Sequence, residues 1–290
     1  MQRYTFKDFD KAFPDDAACL EWLREYLYAD GIACKKCKRV TKHHRVASRP
    51  SYSCDVCGHH VHPTAGTVFH KSSTSLKTWF HAIYLMASTR CGISAKQIER
   101  ETGVTYKTAW RMFKQIRSML DEDVGPLDGP VEMDETYMGG RRKNGSGRPM
   151  RGDKVKTPVL GIVQRKGKVK AFHIPAVDGA TLLGHAIEHI APKATVYTDE
   201  LYSYNGLAHS RSRFVHHTIN HSKKKYVDGD KHTNSVEGFW GTVKRGVRGV
   251  YYHTSHKYLQ SYLDEYSFRY NHRNDETPMF LSFLGKIAKR

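Results

Sequence analysis

Val131-Glu132-Met133-Asp134-Glu135-Thr136-Tyr137 is the stretch on which the architecture turns. Apolar and polar residues alternate here up to an acidic pair, which predicts a strand from Pro130 to Glu135 with Asp134 at its end. Alternation puts Glu132 on the same face as Asp134 and sends Glu135 to the other side. Val196-Tyr197-Thr198-Asp199-Glu200-Leu201-Tyr202 repeats the arrangement: a short strand, Thr195 to Thr198, runs out into Asp199, and Glu200 should point away. A third acid, Glu237, falls on a predicted helix in His232-Thr233-Asn234-Ser235-Val236-Glu237-Gly238-Phe239-Trp240. Neighbouring strand ends can set two carboxylates side by side, and a helix laid across them can supply a third.

Carboxylates brought that close repel, and one stays protonated unless a cation intervenes. Mg²⁺ or Mn²⁺ turns them into a ligand set, because hard cations take oxygen donors and keep some of their waters. Two such ions about 4 Å apart can activate a nucleophile and stabilise a leaving oxygen, which suits cutting or joining a phosphodiester. Each acid taken alone reads better as a turn residue or a helix cap than as a ligand, and Glu132 is a rival for the place of Asp134. His232 is well placed beside Glu237. Lys244 and Arg245, one to two turns beyond Glu237, are suited to a DNA backbone or simply to solvent. Trp240 reads as core. His216, His217 and His221 read as DNA contacts or a solvated loop rather than a second metal site.

Around these acids the pattern alternates between strands and helices. Strands are expected at Val159–Gln164, Val169–Ile174 and Arg213–His217, and helices at Gly179–Ile190, Asn234–Lys244 and Lys257–Tyr270. Together they predict a mixed sheet with helices on it. Between the strand at Pro130–Glu135 and that at Val159–Gln164 lies a glycine-rich basic stretch whose Arg141 and Arg142 can track phosphates.

Upstream, Cys34, Cys37, Cys54 and Cys57 read C-x2-C-x16-C-x2-C. Two turns that each offer a pair of thiolates can close the tetrahedron of a structural Zn²⁺. Lys35, Lys36, Lys38, Arg39, Lys42 and Arg45 make the ribbon a basic tip. An apolar stripe precedes it as a helix over 14–30. After it, a helix is expected from Ser75 to Thr89. Ser94 then caps a short helix, Gly103 breaks the chain, and Thr105 caps a longer helix from Tyr106 to Leu120. Short helix, turn with Gly and second helix make a helix-turn-helix candidate, with Tyr106, Lys107 and Arg111 near the start of the recognition helix. Asp121 to Pro130, acidic and rich in Gly and Pro, marks a boundary. The expected architecture is thus α/β and multidomain: helix and zinc ribbon over 1–63, helix-turn-helix region over 64–125, mixed-sheet domain over 126–290.

Composition agrees with a polyanionic partner. The 290 residues carry 47 Lys and Arg against 29 Asp and Glu, a formal net charge of +18. So much positive charge repels itself unless an anion binds. Interleaved aromatic residues favour nucleic acid over a membrane surface. Six cysteines, four of them assigned to zinc, fit a reducing compartment, and neither an apolar leader nor a spanning segment is expected. Cys19 and Cys91 read as buried thiols.

At these residues the chain resembles the DDE transposases of bacterial insertion sequences, in particular the IS-fifteen-ninety-five group with its ISXO-type transposase domain. The likeness runs through the ribbon cysteines, the blocks at 133–140, 197–200 and 232–240, Lys244 with Arg245, and a tail with Tyr258, Tyr262, Phe268, Arg269, Tyr270, Asn271 and Arg273. It implies an RNase H-like catalytic domain with Asp134, Asp199 and Glu237 as its acidic triad. The third block has an H-x-N-x-x-E form matched by His232, Asn234 and Glu237, with Asn234 a ligand or orienting group. The resemblance implies double-stranded DNA partners: terminal inverted repeats and a target, with paired ends calling for a dimer or more at the bacterial nucleoid in the cytoplasm. Two other readings fit the residues: a metal-dependent nuclease or resolvase on the same fold, and a non-catalytic DNA-binding regulator.

Overall fold

The computed structural model describes residues 3–139, 156–209, 213–219, 232–251 and 254–288. They form two compact units, residues 1–120 with 274–290, and residues 121–273. Arg141, Arg142 and His221 lie outside the described residues. Among the described residues no helix is long and apolar enough to cross a membrane.

The first unit begins with α1 (Phe6–Ala12) and α2 (Asp16–Leu27). Thr5 and Asp8 cap α1 reciprocally, and the Asp15 carboxylate accepts the N–H of Ala18 to start α2. The single helix expected over 14–30 is therefore the second of two. Next come short strands: β1 (Ala33–Cys34) pairs with β2 (Arg39–Val40), and β3 (His43–Val46), β4 (Ser51–Cys54) and β5 (His60–Val61) form an antiparallel ribbon. Then follow α3 (Leu76–Ser88), α4 (Ala95–Thr102) and α5 (Tyr106–Ser118), capped by Ser75, Ser94 and Thr105. Gly103 ends α4 with φ 70°, a left-handed turn that glycine adopts freely.

Ribbon and helices share one unit, and a helix over Met279–Ala288, absent from the sequence-based reading, joins them. Its Phe280 ring lies 5.7 Å from Phe9, 5.9 Å from Phe13 and 5.7 Å from Tyr84, centroid to centroid. Burial of these large rings holds the tail with the N-terminal helices.

The second unit is a five-stranded mixed sheet. Its strands are β6 (Pro130–Met138), β7 (Thr157–Gln164), β8 (Val169–His173), β9 (Thr195–Thr198) and β10 (Val215–Thr218), in the order β10-β9-β6-β7-β8. β6, β7 and β8 form an antiparallel meander; β9 and β10 add in parallel on the other side of β6. Between strands come α6 (Gly179–His189) and α7 (Asn205–His209); after them come α8 (Asn234–Gly246) and α9 (Leu259–Asn271).

Alternation along the strands builds two cores. Val131, Met133, Leu160 and Ile162 pack on one face with Leu182 and Ala186 of α6. Val159 and Val163 pack on the other with Val236, Trp240 and Val243 of α8 and Leu263 of α9. The outer edge of β8 is closed by side-chain amides of α9. Asn271 accepts the N–H of Val169 at 2.7 Å and donates to its carbonyl at 3.1 Å; Gln260 does the same for the N–H of His173 and the carbonyl of Ala171.

One glycine sets how close α8 comes to the sheet. Gly161 of β7 sits directly opposite Asp134. A Cβ built on it would lie 2.7 Å from Trp240 Cζ2 and 3.2 Å from Val236 Cγ2. Trp240 fills the space a side chain would take. Gly161→Ala is expected to destabilise the protein by about 1–3 kcal/mol, read as a lower urea midpoint, because the helix must lift or the indole must turn.

Candidate active site and metal centre

The strand that carries Asp134 is longer than expected: β6 pairs with β7 as far as Met138, so Asp134 lies within the hairpin rather than at its end. What ends near it is the parallel ladder. Glu132 is the last residue of β6 paired to β9, opposite Tyr197. Two residues further along both chains, Asp134 and Asp199 stand level with each other. The Asp199 carboxylate accepts the N–H of Leu201 at 3.0 Å, which holds the turn leaving β9. Glu237 comes from the first turn of α8, where the Thr233 hydroxyl donates to its carboxylate at 3.1 Å.

These acids share one field. Burial pushes the Asp134 carboxyl up to about 7, and the charges of Glu135, Asp199 and Glu237 push the same way, with Lys244 opposing. Glu135 points to the far face, where it accepts the Tyr204 hydroxyl at 2.8 Å; burial raises its pKa and that bond partly offsets the rise. Oxygen donors whose repulsion Lys244 only partly relieves fit a hard divalent cation. Among the described residues, however, only the four cysteines form a group of three or more ligand atoms all within 4.8 Å of one another. Asp134 feels the charges of the other two without the three being drawn that tight.

Glu132 shares the Asp134 face but is no rival for a cation. It is 0% exposed. Its carboxylate accepts Arg165 Nε at 2.7 Å and the N–H groups of Ser235 and Val236 at 2.8 and 3.0 Å. His232, expected beside Glu237, places Nδ1 3.2 Å from the same carboxylate. Asn234 is exposed at the start of α8. The sequence reading missed both Arg165 and Tyr204. Neither belongs to a local pattern; each is tied to its acid across the fold.

The basic residues divide. Lys244 lies two turns beyond Glu237, and its charge reaches Asp134. Arg245 is exposed and donates to the Thr242 hydroxyl at 3.2 Å. In the first unit, Tyr106, Lys107 and Arg111 all lie on the exposed side of α5, with Lys114 one turn further. Arg111 Nη2 donates to Ser72 Oγ at 3.4 Å, and the Lys96 ammonium sits 4.7 Å from the Tyr106 ring centroid.

The four ribbon cysteines meet a stricter test. A regular Zn–S₄ site with bonds of about 2.3 Å requires sulfurs about 3.8 Å apart. Cys34 and Cys57 Sγ are 3.5 Å apart, and Cys37 and Cys54 Sγ 3.9 Å. The two turns match in backbone as well. Lys38 N–H reaches the Cys34 carbonyl and Gly58 N–H the Cys54 carbonyl, and both residues are left-handed, with φ 55° and 67°. Without a cation the sulfurs are unequal: the Thr41 hydroxyl draws Cys54 down to about 6, while hydrogen bonding to Cys57 pushes Cys37 up to about 12. The site fits zinc. Of the other thiols, Cys19 is fully buried and Cys91 half-buried.

Two outcomes are expected. Cys57→Ser should lose a bound equivalent of zinc, measured by atomic absorption, and melt earlier than the wild type. For Asp134, burial and neighbouring acids raise the folded pKa to about 7, above the ordinary aspartate value of about 4, so the native state holds the extra proton. Stability is fully present at acid pH and is lost as pH rises from about 4 through 7. In magnesium-free protein that retains its zinc, Asp134→Asn should therefore melt higher than wild type at pH 8, by roughly 5 °C, with the gap closing towards pH 5. Thermal melts across that range decide it.

Residues 126–271 match the family model of the ISXO2-like transposase domain. The chain is 27% identical over 260 residues to an uncharacterized protein in transposable element ISH50 of Halobacterium salinarum, covering 83% of this chain and 87% of that one. It is 32% identical over 124 residues to an uncharacterized transposase-like protein of Haemophilus influenzae, covering 43% of this chain and 96% of that one. Among solved structures, the Mos1 Strand Transfer Complex is similar with a TM-score of 0.29 at 12% identity, over 73% of this chain and 78% of that one. The model match alone spans half of the 290 residues, and with it the chain belongs to the ISXO2-like family of insertion-sequence transposases.

Proposed function

We propose that this chain cuts DNA at the ends of its insertion sequence and joins the freed 3′-hydroxyls to target DNA. The sheet order, with an antiparallel meander flanked by two parallel strands, supports an RNase H-like catalytic domain. The observation that carries the reading is the field that Asp199 and Glu237 exert on Asp134: Asp134 comes from β6, Asp199 from just past the end of the neighbouring parallel strand β9, and Glu237 from the first turn of α8. Asp134 and Asp199 would hold Mg²⁺ or Mn²⁺ from the sheet, and Glu237 from α8. Once bound, the ions supply charge neutralisation at the scissile phosphate and at the attacking and leaving oxygens.

Water attacks the phosphorus at the end of the element, the P–O3′ bond breaks, and the 3′ oxygen leaves as a hydroxyl. That hydroxyl then attacks a target phosphodiester and displaces a second 3′ oxygen. No covalent link to the protein forms. Catalysis is positioning and charge balance. Lys244, close enough to act on Asp134, contacts the DNA backbone at the site. The exposed face of α5 and the basic zinc ribbon bind the ends, with α4 and α5 as a helix-turn-helix. Two ends joined together call for at least a dimer.

Asp199→Asn is expected to lower strand cleavage at least a thousandfold and leave binding to terminal repeats within a few-fold, measured by gel cleavage and mobility shift on one duplex. Cleavage without joining on pre-cut ends would favour the nuclease or resolvase; binding with no metal-dependent cleavage in the wild type would favour the regulator.

A further inference from the structure

Glu132 is a wholly buried carboxylate that the chemistry above leaves unused. A charge out of water costs several kcal/mol unless it is fully partnered, so its partners say what holds it there. Two are the N–H groups of Ser235 and Val236, which a helix start leaves without an internal acceptor. The N-cap residue of α8, Thr233, makes no capping bond with its side chain; its hydroxyl is engaged by Glu237. The cap therefore comes from another element, the strand that carries Asp134 two residues later.

Arg165, just past the end of β7, completes the arrangement. Its Nε donates to Glu132 at 2.7 Å, its Nη2 donates to the His232 carbonyl at 2.6 Å, and its guanidinium lies 4.1 Å from the Tyr197 ring centroid. Tyr197 precedes Asp199 by two residues, as Glu132 precedes Asp134, and Val236 adjoins Glu237. One ion pair thus touches all three segments that bear the acids. We propose that Glu132, with Arg165, is the positioning pair of the acid site: it sets the mutual spacing of Asp134, Asp199 and Glu237 and so their affinity for divalent cations. This rests on the reading of those three acids as the cation-binding set.

The test uses full-length, zinc-loaded protein. Mn²⁺ binding without DNA is followed by electron paramagnetic resonance, and end cleavage is followed against Mg²⁺ concentration. Glu132→Gln keeps the shape and removes the charge. It should retain zinc, a cooperative melt and end binding, yet bind Mn²⁺ about tenfold more weakly. Its Mg²⁺ dependence should shift by the same factor, with cleavage partly recovered at saturating Mg²⁺. Arg165→Lys, which keeps the charge but loses the fork, should shift both in the same direction and less.

A folded E132Q with unchanged Mn²⁺ binding overturns the proposal. If E132Q does not fold, R165K decides on the same readouts, and unchanged binding again overturns it. Asp199→Asn separates the two layers. Wild-type Mn²⁺ binding no stronger than that of D199N refutes the acid set itself, whereas strong wild-type binding that E132Q leaves intact refutes only the positioning pair.

Discussion

Carboxylates gathered at one end of a sheet repel one another, and the fold has to hold them there against that repulsion. Burial and three neighbouring acids lift Asp134 to about 7, so the native chain keeps a proton that the unfolded chain would release. The rest of the second unit can be understood as support for that constraint. β6 and β9 bring two acids level, Gly161 lets α8 settle against the sheet, and Trp240 takes the vacant volume. In the first unit the four ribbon sulfurs lie within 4.8 Å of one another, an arrangement that could hold a zinc ion.

Much of this could be read in the sequence, wherever a local period or spacing carries the information. The ribbon cysteines show themselves by their two short intervals. Asp134 and Asp199 follow runs whose alternation defines a strand, and parity placed Glu132 on the Asp134 face and Glu135 on the other. Parity does not name a partner, however. That Glu132 caps a helix more than a hundred residues later, and that Arg165 answers it across a hairpin, depends on which strands pair. Nor does the position of His232 along the chain reveal that its ring nitrogen lies 3.2 Å from the Glu132 carboxylate.

The first unit shows the converse. The capping box of Thr5 with Asp8 is a local signal that the reading of a single helix over 14–30 passed over. The helix Met279–Ala288 has the apolar content of a core element. Its membership in the N-terminal unit is settled by ring packing with Phe9, Phe13 and Tyr84, residues that lie far off along the chain.

That last contact has a bearing on the order of biosynthesis. The unit of residues 121–273 interrupts the other unit, so its strands and helices leave the ribosome before the N-terminal helices receive Phe280. Domains fold as they emerge. The acid-bearing sheet can therefore begin to close its cores while the aromatic cluster of the N-terminal helices is still missing a wall, and that cluster is completed only once Phe280 has left the ribosome.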